Sequence, residues 1–403
     1  MIKTVHAGQP NIRCPLCGSS GLWIFFEILN VPASCNLLWS SKEEAVNCPK
    51  GDIKLAFCPS CTFITNIAID PKKIQYGQFY DNTLFYSQHF QEFAKQLANK
   101  LVQRYDLHNK TIVEIGCGKV DFLSLFRELG NNKGTRLSPT YSQSRDKSQS
   151  ATHLVEPLGG QHTKRNEKTQ ANFIFSYHEL EHVNHPENLL KVLRRIFGHN
   201  PALPFFFAVP NALKAFKEGD FTDIIYEHVS YFTANSLFYL LSHCGFNVSE
   251  VEETEKELYD SIYITATAKR KSTSKCASES KPSQSDIKNH ILTFSSKSKN
   301  TIERHKTAIT KLLDQGKRVA IWGAGARGVT FLNIINDPRI EFAVDINPRK
   351  NGKYIPGTGQ KIVAPEFLLN YRPDFIILAN PAYEKEIERS MDSLGIVTRY
   401  ILI

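Results

Sequence analysis

Short apolar runs and amphipathic stretches alternate along most of this chain of 403 residues. The clearest apolar runs end at glycine, proline or a polar turn and lie at 111–115, 172–176, 204–209, 318–322 and 375–379. Stretches with helical spacing accompany them, such as 122–129 and 186–196. Strands that alternate with helices are typical of a doubly wound sheet. We therefore predict an α/β protein whose main unit is Rossmann-like.

The same pattern predicts several domains. The segments 248–253 and 261–268 are expected to close the first sheet as an antiparallel pair. A Ser-, Lys- and Pro-rich segment follows, and after it comes a long helical pattern over 287–315 and a second α/β unit. We predict an N-terminal domain at 1–75, a central domain at 76–268, a linker at 269–285 and a C-terminal Rossmann-like domain at 286–403.

Composition favours a globular protein, with 41% hydrophobic and 22% charged residues. The net charge of +9 does not by itself indicate nucleic acid, because much of the excess lies in the polar segment 269–299. No apolar run is long enough for a transmembrane helix, and the first residues lack the apolar core of a signal peptide. We expect a cytoplasmic protein that binds neither nucleic acid nor membrane; the sequence leaves its oligomeric state open.

Two Cys-x-x-Cys pairs predict a metal site. Cys14 and Cys17 form the first pair, and Cys58 and Cys61 form the second. Forty residues lie between Cys17 and Cys58. Each pair can present two thiolates from one tight turn, and two such turns complete a tetrahedral zinc site. Four sulfur ligands leave no position for water, so the predicted Zn²⁺ is structural.

The sequence Glu114-Ile115-Gly116-Cys117-Gly118 stands between an apolar strand and an amphipathic helix. Glycines at such a turn let the backbone approach a ligand closely. Downstream, Glu181-His182 and Tyr226-Glu227-His228 each follow a predicted strand, so we expect them to meet in one crevice. A tyrosine-rich segment with Tyr76 and Tyr80 is a candidate lid; packing between domains is the alternative for each of its tyrosines.

The C-terminal domain carries a second glycine-rich turn. Gly323, Gly325 and Gly328 match the GxGxxG pattern after a strand, and Asp345 lies near the distance of a ribose-binding acid. Read alone, the motif suggests an NAD-dependent oxidoreductase. A turn that only serves packing is a further alternative.

Several motifs occur in order along the chain. The two Cys-x-x-Cys pairs are followed by EIGCG, LEHV, VPNA, YEHVSYF and GAGARG. From Cys14 to Ile403 the chain resembles the sugar C-methyltransferases of deoxysugar pathways. The resemblance implies a zinc domain, a central domain that binds S-adenosylmethionine (SAM), and a C-terminal domain that helps to hold a nucleotide-activated keto sugar. The implied reaction is removal of a proton beside the ketone, followed by attack of the enolate on the SAM methyl group.

The resemblance also implies roles for individual residues. His228 is the expected base, with Tyr226, Glu227 and His182 as further catalytic residues. The cofactor residues implied are Glu114, Gly116, Cys117, Gly118, Ser138 and Glu181. The substrate residues implied are Tyr76, Tyr80, Asn211, Gly323, Gly325, Arg327 and Lys353. Val120 and Ser138 replace a glycine and an acidic residue of the family pattern, so a weakened relative that acts by binding or as a scaffold is the alternative.

Overall fold

The computed structural model describes residues 6–76, 79–116, 121–137, 154–157, 170–254, 258, 260–268 and 284–403. They form three β-sheets with helices between them, and the predicted α/β class is confirmed. The linker predicted at 269–285 lies outside the described residues up to 283. Within the described part of the chain, no helix is both long enough and apolar enough to cross a membrane.

The N-terminal sheet is antiparallel and has the order β1-β2-β3-β4-β10. Its strands are β1 His6–Arg13, β2 Ser20–Pro32, β3 Lys50–Phe57, β4 Ile64–Asn66 and β10 Ser230–Tyr231. The last strand belongs to the YEHVSYF motif, so a segment far along the chain completes the N-terminal sheet. This pairing brings the predicted catalytic motif against the Cys-x-x-Cys turns.

The central sheet has seven strands in the order β11-β12-β9-β8-β5-β6-β7. They are β5 Thr111–Ile115, β6 Lys133–Leu137, β7 Leu154–Pro157, β8 Phe173–Tyr177, β9 Pro204–Pro210, β11 Asn247–Glu253 and β12 Ser261–Thr267. Strands β6, β5, β8 and β9 run parallel. Strands β11 and β12 form the predicted antiparallel pair at one edge. This parallel core places the carboxyl ends of β5, β8 and β9 at one edge, where doubly wound sheets bind ligands.

The C-terminal sheet is entirely parallel, in the order β15-β14-β13-β16-β17. Its strands are β13 Val319–Trp322, β14 Phe342–Val344, β15 Lys361–Val363, β16 Phe375–Leu378 and β17 Arg399–Leu402. Strands β15 and β17 were not predicted. Both are short edge strands; β15 has two buried residues and β17 has none, which leaves a weak hydrophobic pattern.

The α-helices are α1 Lys42–Val46, α2 Gln88–Tyr105, α3 Phe122–Gly130, α4 Pro186–Phe197, α5 Ala212–Glu218, α6 Ala234–His243, α7 Gln284–Asp314, α8 Ala326–Ile335, α9 Leu368–Tyr371 and α10 Glu384–Ser393. The long predicted helix is α7. Its buried residues Ile287, Ile291 and Phe294 pack in one cluster with Phe25 of β2 and Phe216 of α5. Helix α7 therefore shares one hydrophobic core with the N-terminal sheet, helix α5 and the C-terminal sheet.

Candidate active site

A cavity of about 610 Å³ lies where the three sheets meet. Its wall includes Gly116 after β5, Tyr80 of the tyrosine-rich segment, His228 before β10, and Gly325 of the C-terminal turn. Gly116 and Gly325, which are 209 positions apart in the sequence (325 − 116), thus line one space. Of the other residues predicted for the site, Glu114, Glu181, His182, Asn211, Gly323 and Arg327 also line it.

The end of the cavity at β5 carries the expected cofactor turn. A Cβ atom at Gly116 would stand 3.4 Å from Oε2 of Glu179, so the glycine permits close packing there. Glu114 is 5% exposed and accepts a hydrogen bond from Nε of Arg136 at 2.8 Å. Burial raises the pKa of Glu114 to about 6, and Arg136 opposes that rise. The predicted cofactor residues Cys117, Gly118 and Ser138, and also Val120, lie outside the described residues.

Glu227 lies behind the cavity wall and supports Tyr80. Its Oε1 accepts hydrogen bonds from the backbone N–H of Cys35 at 2.9 Å and from the Tyr80 hydroxyl at 3.2 Å. The side chain is fully buried, and burial raises its pKa to about 7. Glu227 thus holds the tyrosine hydroxyl at the cavity surface without lining the cavity itself.

Two histidines from different loops face each other across the site. The rings of His182 and His228 are 4.8 Å apart in an edge-to-face arrangement. Nδ1 of His182 donates to the carbonyl of Glu227 at 3.1 Å, and the Tyr76 hydroxyl lies 3.3 Å from the same nitrogen. Burial lowers the pKa of His182 to about 4 and that of His228 well below its usual value. Both imidazoles are therefore neutral at pH 7.

Glu181 is the most isolated carboxyl group of the cavity. It is 2% exposed, and neither Oε1 nor Oε2 has a hydrogen-bond partner among the described residues. Burial raises its pKa well above the usual range, and the nearby Glu179 raises it further. Because its backbone carbonyl accepts from the N–H of Val229 at 2.9 Å, the turn after β8 is tied to the loop that carries His228.

Tyr226 is not part of the cavity wall, although the sequence placed it among the catalytic residues. Its ring packs against Gly51, where any Cβ would collide with it at 2.1 Å. Its hydroxyl accepts from the backbone N–H of Asp70 at 2.8 Å. In the Tyr-Glu-His motif, the tyrosine therefore faces the N-terminal sheet. Lys353 also lies away from the cavity, with Nζ 3.2 Å from Oγ of Ser40.

The C-terminal glycine turn does not present a ribose site. Oδ2 of Asp345 accepts from the backbone N–H of Ala324 at 3.0 Å and from Nζ of Lys350 at 3.1 Å. Its Oδ1 accepts from the backbone N–H of Asn347 at 2.9 Å. Both carboxylate oxygens thus hold the turn itself, an arrangement that does not favour the NAD alternative.

The glycines of this turn differ in what surrounds them. A Cβ at Gly323 would lie 2.9 Å from Cβ of Ala379, and one at Gly328 would lie 1.9 Å from the carbonyl oxygen of Gly323. At Gly325 the nearest atom to a Cβ is Oδ1 of Asn36, at 4.0 Å. Gly323 and Gly328 therefore allow helix α8 to pack on the sheet, whereas Gly325 faces open space.

Arg327 links the C-terminal turn to the segment after α5. The sequence did not predict this contact. Its guanidinium contacts Asp220 and Asp223, each at 2.8 Å. Another contact that was missed joins Glu386 of α10 to the start of α2, where Glu386 accepts from the Ser87 hydroxyl at 2.5 Å. Acidic residues on loops and helix ends are common, so only the tertiary structure identifies these partners.

The four cysteines form a separate cluster on the N-terminal sheet. Cys14 and Cys61 have their sulfur atoms 3.6 Å apart, as do Cys17 and Cys58. All four sulfurs lie within 4.8 Å of one another. A tetrahedral zinc ion with Zn–S bonds of about 2.3 Å holds its sulfurs roughly 3.8 Å apart. The cluster therefore has the donor set and the spacing to hold zinc.

Comparisons with known proteins agree with this organisation. Residues 86–251 match a family model described as a methyltransferase domain, and residues 261–398 match one described as the C-methyltransferase C-terminal domain. The chain is 21% identical over 403 residues to the C-methyltransferase NovU of Streptomyces niveus, with 94% of this chain and 92% of NovU covered.

Similarity to solved structures is weaker. The plantazolicin methyltransferase BpumL in complex with SAH is 11% identical, with 46% of this chain and 88% of that chain covered and a TM-score of 0.33. An S-adenosylmethionine dependent methyltransferase from Mesorhizobium loti is 14% identical, with coverage of 43% and 97% and a TM-score of 0.31. Scores this low support no further conclusion. The two family models and the NovU relative support a SAM-dependent methyltransferase, in which residues 261–398 are similar to the C-methyltransferase C-terminal domain.

Proposed function

We propose that this enzyme transfers the methyl group of SAM to a carbon atom of a nucleotide-activated keto-deoxysugar. The observation that carries the proposal is the single cavity that reaches from Gly116, past His228, to Gly325. A methyl donor at the first turn and a sugar nucleotide at the last would meet beside the histidine. The named activity of the NovU relative, C-methylation, supports the same reaction class.

The donor is assigned to the end of the cavity at β5. SAM would lie against the turn that begins at Gly116, near Glu114, as in the family that the sequence resembles. The cofactor supplies an electrophilic methyl group. Holding the donor and the acceptor carbon in line contributes on the order of 7–11 kcal/mol toward lowering the barrier.

His228 is the proposed base. Its ring lies on the cavity wall between the two glycine-rich turns, where it can take a proton from the carbon beside the ketone. The electron pair of the broken C–H bond would move toward the ketone oxygen. The enolate carbon would then bond to the SAM methyl group as the bond from that methyl group to sulfur breaks, and S-adenosylhomocysteine would leave. Glu227 accepts the one proton of the Tyr80 hydroxyl and so holds the tyrosine at the cavity wall. Glu227 is therefore a positioning residue.

The nucleotide end is assigned to the C-terminal turn. The first turn of α8 offers backbone N–H groups at Gly325, and such groups favour a diphosphate. Arg327 is already paired with two aspartates, so we assign it to the contact between the domains rather than to the diphosphate. Lys353, which is engaged with Ser40 away from the cavity, is left out of the proposed site.

The four cysteines are proposed to bind one structural Zn²⁺. Their sulfur atoms have the required spacing, and three of the four cysteines are buried, so they form a closed site without room for a substrate. We assign no step of the methyl transfer to this metal. Its role is to hold the two Cys-x-x-Cys turns of the N-terminal sheet together.

The test is methyl transfer from SAM labelled with ¹³C in the methyl group to a panel of nucleoside-diphosphate keto-deoxysugars. Carbon NMR distinguishes a C–CH₃ product from an O–CH₃ product. We expect C–CH₃ with the wild-type enzyme and a loss of at least about a hundredfold in rate for His228→Asn. His243→Asn, an exposed histidine of α6, is the matched control and should keep the wild-type rate. Products methylated only at oxygen would refute the proposal.

A further inference from the structure

We propose that Glu181, His182 and His228 form a second divalent-cation site, on the wall of the cavity. One ligand atom of each side chain lies within 4.8 Å of the ligand atoms of the other two. Metal–nitrogen bonds of about 2.1 Å would bring these atoms to roughly 3–3.5 Å from one another. The site is separate from the cysteine cluster and shares no residue with it.

The carboxylate of Glu181 is the strongest sign of a missing ligand. It is 2% exposed, and both of its oxygens lack a hydrogen-bond partner among the described residues. A buried carboxyl group without partners is costly, and proteins ordinarily provide a hydrogen bond or a cation for it. Because Glu181 also lines the cavity beside two imidazoles, a cation bound there would satisfy it directly.

The hydrogen bond of His182 is of the kind that metal-ligating histidines make. In metal sites, the ring nitrogen that does not bind the ion usually donates to a backbone carbonyl or a carboxylate. Nδ1 of His182 donates in this way to the carbonyl of Glu227 at 3.1 Å. The rings of His182 and His228 stand edge to face with centroids 4.8 Å apart, and a ligand atom of each lies within 4.8 Å of one from Glu181.

The donor set selects the class of ion. Two imidazoles and one carboxylate suit borderline transition-metal ions such as Ni²⁺, Co²⁺ or Zn²⁺, whereas Mg²⁺ and Ca²⁺ prefer oxygen ligands alone. With three protein ligands, the remaining coordination positions would face the cavity. The bound ion would join the turn after β8 to the loop before β10, two segments that already share the hydrogen bond from Val229 to Glu181.

The site has a consequence for catalysis that rests on the proposed function. An imidazole nitrogen that binds a metal ion has no lone pair left to accept a proton. A cation at this site and action of His228 as base therefore exclude each other. Methyl transfer should fall as Ni²⁺ is added, with half-inhibition near the concentration at which the ion half-saturates the site.

The binding test needs no substrate. Untagged protein whose cysteine cluster is filled with zinc is titrated with NiCl₂ by calorimetry, and bound nickel and zinc are counted by mass spectrometry. We expect one Ni²⁺ per chain in addition to one Zn²⁺. Glu181→Gln should weaken Ni²⁺ binding by about a hundredfold or more, because even residues that only orient metal ligands change affinity by about 10- to 100-fold. His228→Asn should do the same.

Glu179→Gln is the matched control, since it removes a charge from the same turn without changing a proposed ligand. It should bind Ni²⁺ like the wild type. Unchanged zinc content and melting temperature show that each variant is folded. If the folded wild type binds no second ion, or if Glu181→Gln binds it equally well, the proposal is overturned. Methyl transfer by the metal-free cavity would be untouched by that result, so the two proposals fail separately.

Discussion

The hydroxyl of Thr65 in β4 donates to the carbonyl of Val229 at 2.9 Å, and Val229 is the residue next to His228. The backbone N–H of Asn66 donates to the same carbonyl at 2.9 Å. The loop that carries the proposed base is thus built onto the N-terminal sheet. Phe63 strengthens the joint, because its ring lies 5.9 Å from that of Phe232. Since Phe63 lies two residues after Cys61, the cysteine cluster supports the active site from outside.

This arrangement predicts that loss of the metal site disables the enzyme at a distance. Cys61→Ser removes one of four sulfur ligands, so bound zinc should fall to near zero, and the free energy of unfolding should drop by more than about 3 kcal/mol. Methyl transfer should be lost, because the strand that holds Val229 is released. Metal analysis, urea denaturation and activity measure the three effects.

Cys48→Ser is the control for that experiment. Cys48 is a buried cysteine of the same part of the chain, but it is not in the cluster. The variant should keep its zinc and its activity. A Cys61→Ser protein that is metal-free yet fully active would show that β10 does not depend on the cysteine cluster.

The strongly patterned elements were predictable from sequence. The strand at Thr111–Ile115 is a continuous apolar run because four of its five residues are buried, and the helix at Pro186–Phe197 has a clear period because it buries one face. The pairing of β10 with β4 was not predictable. A two-residue strand carries no periodic signal, and its partner lies 165 positions earlier (Ser230 with Thr65).

The candidate site shows the same division. Residue types and spacing identified the four cysteines and the two Glu-His pairs. The structure brings the cysteines together as one cluster, and Glu181, His182 and His228 as another. Spacing did not reveal which way each side chain of a motif points. Tyr226 and His228 are two positions apart, yet only His228 lines the cavity, because the loop is irregular and the tyrosine packs on Gly51. Likewise, the distance from the turn to Asp345 suggested a ribose, whereas Lys350 occupies that carboxylate.

Glu114 should make stability depend on pH in the acidic range. Burial raises its pKa from 4.5 to about 6, so the folded protein binds this proton more tightly than the unfolded chain does. Protonation therefore stabilises the fold, and the contribution is lost as pH rises from about 4.5 to about 6. Glu114→Gln cannot ionise, yet it keeps an oxygen that accepts from Arg136.

Urea denaturation of both proteins across this range checks the prediction. Relative to its value at low pH, the wild type should lose about 2 kcal/mol more than Glu114→Gln by pH 7. Arg136 lowers the pKa of Glu114, so Arg136→Met should move the transition to higher pH. Parallel pH profiles for the wild type and Glu114→Gln would contradict this assignment.

Arg327 should contribute more to stability than an ordinary surface arginine. It contacts Asp220 and Asp223 at 2.8 Å each, with its side chain only 20% exposed. Arg327→Met leaves two carboxylates without their cation, and we expect a loss of about 2–4 kcal/mol in the free energy of unfolding. Arg339→Met is the control, because Arg339 pairs with two aspartates at 44% exposure and its loss should lower stability much less.

A second change separates charge from packing at Arg327. In the double variant Asp220→Asn/Arg327→Met, one of the unpaired carboxylates is gone, so part of the lost stability should return. Urea denaturation of the single and double variants measures the coupling. Equal losses for Arg327→Met and Arg339→Met would show that the joint between the domains does not rest on this arginine.

The two Cys-x-x-Cys turns have the same backbone shape but different residues at the strained position. Gly18 donates its N–H to the Cys14 carbonyl and Thr62 donates to the Cys58 carbonyl, both at 2.9 Å, with φ of +74° and +60°. A β-branched residue is disfavoured there, and the buried hydroxyl of Thr62 has no hydrogen-bond partner among the described residues.

Thr62→Gly should therefore stabilise the protein by about 1 kcal/mol, after allowing for the greater freedom of glycine in the unfolded chain. Gly18→Ala, the reverse change in the matching turn, should destabilise it by a similar amount, and thermal denaturation of zinc-loaded protein compares the two. A lower melting temperature for Thr62→Gly than for the wild type would mean that the threonine methyl group contributes more by packing than its backbone conformation costs.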